Sequence, residues 1–234
     1  MSTIIEIKNL FKSYQKNEVL KDINVEVFAG DRVAILGANG SGKTTFVEMI
    51  SSFSKPTAGE IKINLSGNVK KDIGIQYQEG NWPIGIRIKD MIKFYRKVYE
   101  NFSPVYEKML EEVFELDKIK NINLQKLSGG QKQRFNAMLA VINDPEIVIL
   151  DELTTGLDIE LQYKILNFFN DYIINNNKTL LIVSHHPEEV EILCNRILLF
   201  GNKSILLDCS MIEAIKKFGS IRSLMNLYFK GEIK

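Results

Sequence analysis

The run Gly37-Ala38-Asn39-Gly40-Ser41-Gly42-Lys43-Thr44 fits the spacing GxxxxGK[ST]. Glycines so placed let successive backbone N–H groups turn inward on the oxygens of one anion. Lys43 adds a mobile cation able to reach β- and γ-phosphates, and the Thr44 hydroxyl is a hard oxygen suited to Mg²⁺. Such a loop needs a strand before it and a helix after it, because the helix N-terminus supplies unpaired N–H groups and a favourable dipole. The neighbours qualify: residues 32–36 are an apolar run of strand length, and residues 43–52 read as a helix. A glycine-rich turn without a ligand is the plainer alternative, and the flanking strand and helix argue against it.

Two further segments carry chemistry. Ile147-Val148-Ile149-Leu150 runs into Asp151-Glu152. Apolar strands of this kind are buried in parallel sheets, whose ligands sit at the carboxyl ends of the strands. Asp151 is therefore placed to hold a Mg²⁺ shell, and Glu152 to orient or deprotonate an attacking water. Acids also stand where strands merely reach solvent; the phosphate loop upstream is what favours chemistry. The second segment, Leu127-Ser128-Gly129-Gly130-Gln131, precedes a helix bearing Phe135, Met138, Leu139 and Ile142. Ser-x-x-Gln is a capping box, in which Ser128 and Gln131 satisfy orphan N–H groups. The box leaves the glycines unexplained, since each costs a helix about 0.8–1 kcal/mol relative to alanine. Two of them in the first turn predict a close backbone approach, and an anion fits. Cap and anion site are compatible.

Positioning these segments calls for an α/β scaffold. Short β-branched runs alternate with longer stretches of helical period, which predicts a largely parallel sheet. The start departs from that pattern. Residues 4–10 and 19–28 read as strands about the polar turn Gln15-Lys16-Asn17, and residues 59–77 as strand with a turn near Ser66-Gly67-Asn68. An N-terminal antiparallel β subdomain is expected there. Residues from about 86 to 142 are helical, with amphipathic spacing at Ile88, Met91, Ile92 and Tyr95, and at Met109, Val113 and Leu116. They form a helical lobe inserted between core segments of about 1–85 and 143–208, with a helical tail at about 209–234, all within one domain. After the strand at 147–150, the core continues as a helix at 159–175, a strand at 179–183, a helix from Pro187 and strands near Ile197 and Ile205.

The chain of 234 residues is 45% apolar and 25% charged, ordinary for a protein with a buried core. A net charge of +1 offers no global field for nucleic acid or an acidic membrane surface. Cys194 and Cys209, without a CxxC and with no export signal at the start, predict reduced thiols in a cytosolic protein. No run approaches the roughly 18–20 apolar residues that span a bilayer, so work at a membrane would depend on another chain.

In order, residues 37–44, Gln78, residues 127–131, Asp151-Glu152, Asp158 and His185 resemble the ATP-binding cassette (ABC) family over about residues 4–207. Leu-Ser-Gly-Gly-Gln is the most family-specific part. The resemblance implies a P-loop NTPase core that holds ATP with Gly37, Ala38, Asn39, Gly40, Ser41, Gly42, Lys43, Thr44 and Thr45. It implies Mg²⁺ on Thr44, Asp151 and Gln78, and catalysis by Glu152, His185, Lys43 and Gln78. It further implies a head-to-tail pair of cassettes. Each ATP then lies between the phosphate loop of one and Ser128, Gly129, Gly130 and Gln131 of the other, with Asp158 touching the opposite site. Tyr14, in Phe11-Lys12-Ser13-Tyr14, matches the aromatic that stacks on adenine, with Phe11 as its competitor. Gln78 matches the glutamine that couples to a transmembrane partner, His185 a switch histidine at the γ-phosphate, and His186 is read as a surface neighbour.

Two positions depart from the family. Leu153 stands where proline is usual, which predicts a less rigid turn after the acidic pair. Trp82, the sole tryptophan, follows Gln78 closely, either at a partner-docking surface or half-buried in a loop.

The implied function is ATP hydrolysis that drives a separate transmembrane permease subunit, with a second cassette, as a homodimer, at the cytoplasmic face of the membrane. The length and the helical lobe resemble stand-alone cassettes of drug, antibiotic and peptide exporters; an importer cassette is an alternative. A soluble relative acting on DNA or ribosomes is the reading from another class. A single cassette without sustained heptads or a basic tract speaks against it, so no nucleic acid is expected. A scaffold without turnover is disfavoured by Lys43, Asp151, Glu152 and His185.

Overall fold

The computed structural model describes residues 2–76, 82–99 and 102–233. Two long strands, β1 (Thr3–Tyr14) and β2 (Asn17–Phe28), lead to β3 (Arg32–Gly37), α1 (Lys43–Ile50), β4 (Ala58–Ile63), α2 (Val69–Asp72) and β5 (Ile73–Ile75). Three helices follow, α3 (Ile88–Val98), α4 (Pro104–Val113) and, after a 3₁₀ turn at Leu124–Lys126, α5 (Gly129–Val141). The chain then runs through β6 (Ile147–Asp151), α6 (Ile159–Asn175), β7 (Thr179–Val183), α7 (Pro187–Leu193), β8 (Arg196–Gly201) and β9 (Ser204–Ser210). It closes with α8 (Met211–Phe218) and α9 (Ile221–Phe229).

The strands form two sheets. One is antiparallel, in the order β2-β1-β4. The other has the order β5-β6-β7-β3-β8-β9, parallel except for the antiparallel edge strand β9. The expected α/β class with an antiparallel β subdomain is the architecture found.

The period-2 alternation of the parallel strands divides the apolar residues between two cores. Val33, Ile35, Ile147, Ile149, Leu181 and Val183 face one side, where they meet α1 through Phe46, Val47 and Ile50 and the antiparallel sheet through Ile5, Ile7 and Leu20. Ala34, Leu36, Val148, Leu150, Leu180 and Ile182 face the other, covered by Ile88 and Ile92 of α3, Phe135 and Met138 of α5 and Phe169 of α6. Both faces of β6 and β7 are buried, which explains why their sequences are continuous apolar runs. Arg96 of α3 clasps Glu107 of α4 at 2.6 Å, pairing a charge that α4 buries.

Several expectations shift. The first strand runs on to Tyr14, because β1 pairs with β2 as far as Asn17. Strand stands on both sides of the turn near Ser66-Gly67-Asn68, as β4 and β5, but a helical turn intervenes after it; Tyr77 lies outside the described residues. Asn68 caps Lys70 N–H and starts the short helix α2 before β5. The helix after the phosphate loop ends at Ile50, two residues early, within the usual fraying of helix ends. On α4 the buried apolar position is Leu110, while Met109, one residue away, is exposed. Among the described residues no helix is long and apolar enough to cross a membrane. Both cysteines are free, and burial pushes the Cys194 thiol well above its ordinary range.

Candidate functional site

β3, β7 and β6 are neighbours in the parallel sheet, and their register aligns Ile35 with Val183 and Val183 with Asp151. The loops leaving these strands therefore start from one edge, separated by strand spacings of about 4.8 Å. The topology brings together the phosphate loop after Gly37, the acidic pair at the end of β6, and Ser184-His185 after β7.

The phosphate loop ends in a left-handed residue, Gly42, at φ 99°, which is the N-cap of α1. A Cβ there would lie 2.5 Å from Leu20 Cδ2, so both the conformation and the packing demand glycine. No side chain caps this helix, which leaves its first-turn N–H groups to a ligand. Asn39, Gly40 and Thr44 are exposed and Thr45 is half-buried. Lys43 is only 6% exposed, and its Nζ donates to the carbonyls of Gly37 and Ala38, both at 2.9 Å. Burial lowers the Lys43 pKa, against the opposing pull of Asp151 and Glu152.

Asp151 is 7% exposed, and its carboxyl is pushed up to about 6, chiefly by burial and then by the charge of Glu152, with Lys43 opposing. A divalent cation removes the cost of such a charge, and a carboxylate with the Thr44 hydroxyl is the hard-oxygen donor set that Mg²⁺ takes. Among the described residues no cluster of three or more His, Cys, Asp or Glu offers a rival metal site. Glu152 takes φ 52°, a left-handed turn that leads the chain out of β6. Its Oε1 lies 4.0 Å from His185 Nε2. Burial, followed by the charge of Lys43, lowers the His185 pKa against the pull of Glu152, which favours the neutral imidazole. His186 is exposed, as expected of a surface neighbour.

Glu152 and His185 are held in place by residues the motifs do not include. Glu189 of α7 is 1% exposed, and its Oε1 accepts from Thr154 N–H at 2.8 Å and from the Thr154 hydroxyl. Its Oε2 accepts from the Ser184 hydroxyl at 2.5 Å. One buried carboxylate thus ties the turn after Glu152 to the turn that carries His185. Gln133 of α5 donates to the carbonyls of Glu152 and Leu153. Leu153 is fully buried, so the turn expected to be looser for lack of proline is fastened by packing and by these bonds instead. Glu189 was illegible in sequence because Glu188, its exposed neighbour, has the same type and the same helix.

The second phosphate-facing segment is built differently. Ser128 caps α5, accepting from Gln131 N–H at 3.3 Å, while Gln131 Oε1 accepts from Ser128 N–H at 3.0 Å. The capping box is therefore present. The close approach expected of the glycines is found at Gly130, where a Cβ would meet the Gly156 carbonyl at 2.9 Å, so this glycine answers to its own chain. Gly129 has open space around its Cβ position. Asp158 caps α6, accepting from Leu161 N–H at 3.0 Å. Tyr14, at the end of β1, is 47% exposed with Lys12 Nζ 4.6 Å from its ring centroid, while Phe11 is half-buried. Trp82 packs on Phe135 with ring centroids 5.6 Å apart, as a half-buried loop tryptophan would. Gln78 lies outside the described residues.

A mostly parallel sheet with an uncapped glycine-built helix start, a buried lysine and two consecutive acids at the end of one of its strands is the arrangement of a phosphate-binding P-loop domain. The ABC transporter family model matches residues 20–155, more than half of the chain, and the chain belongs to that family. The nickel import system ATP-binding protein NikE of Staphylococcus aureus is 31% identical over 217 residues, covering 90% of this chain and 92% of that protein. The Nod factor export ATP-binding protein I of Rhizobium johnstonii is 31% identical over 202 residues, covering 82% of this chain. The chain spans 65% of that relative's length. An ATP-binding subunit of an ABC transporter shares the fold with TM-score 0.85 at 23% identity, covering 97% of this chain and 99% of the other. A dimeric bacterial ABC transporter cassette matches with TM-score 0.77 at 25% identity, covering 88% and 98%.

Proposed function

We propose that the chain is a single ABC ATPase domain, with 86–142 as its helical lobe, that converts ATP hydrolysis into movement of a separate transmembrane permease at the cytoplasmic face of a membrane. The observation that carries this reading is the shared strand edge, with Lys43 buried beneath an open helix start and Glu152 beside His185 at 4.0 Å.

In this reading the amides of the loop up to Thr45 that are not already engaged by Tyr228 and by the Ala38 carbonyl cradle the phosphates, Lys43 neutralises terminal phosphate charge, and Tyr14 stacks on adenine. Thr44 and Asp151, with Gln78, would hold Mg²⁺, which supplies charge neutralisation to the phosphate oxygens. Glu152 orients a water for in-line attack and takes up its proton, and His185 donates to the γ-phosphate as charge develops. Ser128, Gly129, Gly130, Gln131 and Asp158 come from a second copy of the chain. The self-completed cap on α5 supports that arrangement, because its exposed Ser128-Gly129 surface is finished before any ligand arrives.

For direction, length and the helical lobe favour an exporter, as does the relative named for Nod factor export. Import has in its favour the relative named for nickel import, matched over 92% of that protein. Affinity purification of the tagged chain from detergent-solubilised membranes tests the transporter reading. A stoichiometric polytopic membrane protein is expected, whose cargo then decides direction. Recovery with ribosomes or DNA-bound proteins, and nothing from the membrane, would overturn it.

A further inference from the structure

The tail folds into two helices, and the second reaches the phosphate loop. Ala38 N–H donates to the Tyr228 hydroxyl of α9 at 3.2 Å. The Ala38 carbonyl is also engaged, accepting from Lys43 Nζ at 2.9 Å and from Ser41 N–H at 3.2 Å. Ala38 is thus the base on which the exposed Asn39 and Gly40 are raised. The Tyr228 ring lies against the end of β8, where a Cβ at Gly201 would stand 3.1 Å from its Cε2. The helix behind it is well anchored: Ile221 and Leu224 are buried in the main core. Ile221 N–H donates to Glu191 of α7 at 3.3 Å. That same α7 carries Glu189, the clasp on Ser184 and Thr154. One C-terminal helix therefore contacts the phosphate loop directly and, through α7, stands behind the loop of His185.

We propose that Tyr228 is a positioning residue for the phosphate loop, so that docking of α9 sets the affinity for the phosphates of the nucleotide. This rests on the ATP reading above. The hydroxyl removes one freedom of the loop before ligand arrives, and a cradle held in its binding shape spends less binding energy on ordering. The coupling is reciprocal: nucleotide that favours the fastened loop must also favour docked α9.

Equilibrium titration of the full chain with fluorescent ATP tests it. Tyr228→Phe keeps the ring and loses only the hydroxyl, and its dissociation constant is expected to rise about two- to tenfold, the worth of one net hydrogen bond. Asn226→Ala, at an exposed position of the same helix, leaves the constant unchanged. Amide exchange across residues 221–229 should slow on adding ATP to the wild type, and less so in Tyr228→Phe. A Tyr228→Phe variant that binds ATP like wild type overturns the proposal, even if it melts earlier, and so does α9 exchange indifferent to ATP. A wild type that binds no ATP, or a Lys43→Ala variant that binds it normally, overturns the ATP reading itself.

Discussion

The starts of α1 and α5 look alike in sequence, each a glycine-rich turn before an apolar helix, yet they are finished in opposite ways. α1 has Gly42 as N-cap and no side chain to close it, with Lys43 buried beneath. Its N–H groups are left for an anion, and the helix dipole adds to their attraction. α5 closes itself with the reciprocal box of Ser128 and Gln131, and Gly130 is spent on approach to Gly156 within the same chain. The first is an open helix start, which on the proposed reading a phosphate would complete. The second is complete and presents Ser128 and Gly129 outward, as suits contact with a phosphate already seated on another copy.

Substitutions at the two helix starts sharpen or break this contrast. Lys43→Ala should weaken ATP binding by at least about a hundredfold, on the scale of removing a preorganised electrostatic contact. Near-normal affinity in a nucleotide titration would end the assignment of α1. Ser128→Ala should lower unfolding free energy by about 1 kcal/mol through loss of the cap, read from denaturant melts, while ATP binding to the monomer stays unchanged. A loss of monomer binding would mean that α5 serves its own chain's nucleotide. Gly129→Ala gives the smallest and most discriminating effect. Its Cβ meets no neighbour, so the fold should gain up to about 1 kcal/mol of helix propensity, while ATP turnover falls. Unchanged turnover in that stabilised variant would leave Gly129 with no role at a shared site.

The same contrast explains what was legible in the sequence. The phosphate loop and the acidic strand end are local: their spacing is the chemistry, and a strand on one side with a helix on the other is enough to place them. The continuous apolar runs of β3, β6 and β7 likewise announced a sheet buried on both faces. What escaped notice depends on contacts between distant segments. Glu189 reaches Thr154 across 35 residues, and Tyr228 reaches Ala38 across 190. Neither has a neighbour pattern that separates it from an ordinary helical glutamate or tyrosine. At Gly130 the close approach was legible but its partner, the Gly156 carbonyl, was not, because a glycine records that something comes close but not what. The 59–77 segment was read as strand with a turn near Ser66-Gly67-Asn68, and α2 was missed because a four-residue helix carries too little periodicity to declare itself.

The central claim is that the ATP site is completed only by a second copy of the chain. It is tested most directly by the mass of Glu152→Gln in solution, measured by light scattering after size exclusion, with and without ATP. Removing the carboxylate should slow hydrolysis by about 10²–10⁴-fold while leaving binding intact, so that the ATP-bound state accumulates. The account predicts monomer without nucleotide and dimer with it. A variant that binds ATP to saturation and remains monomeric would contradict it.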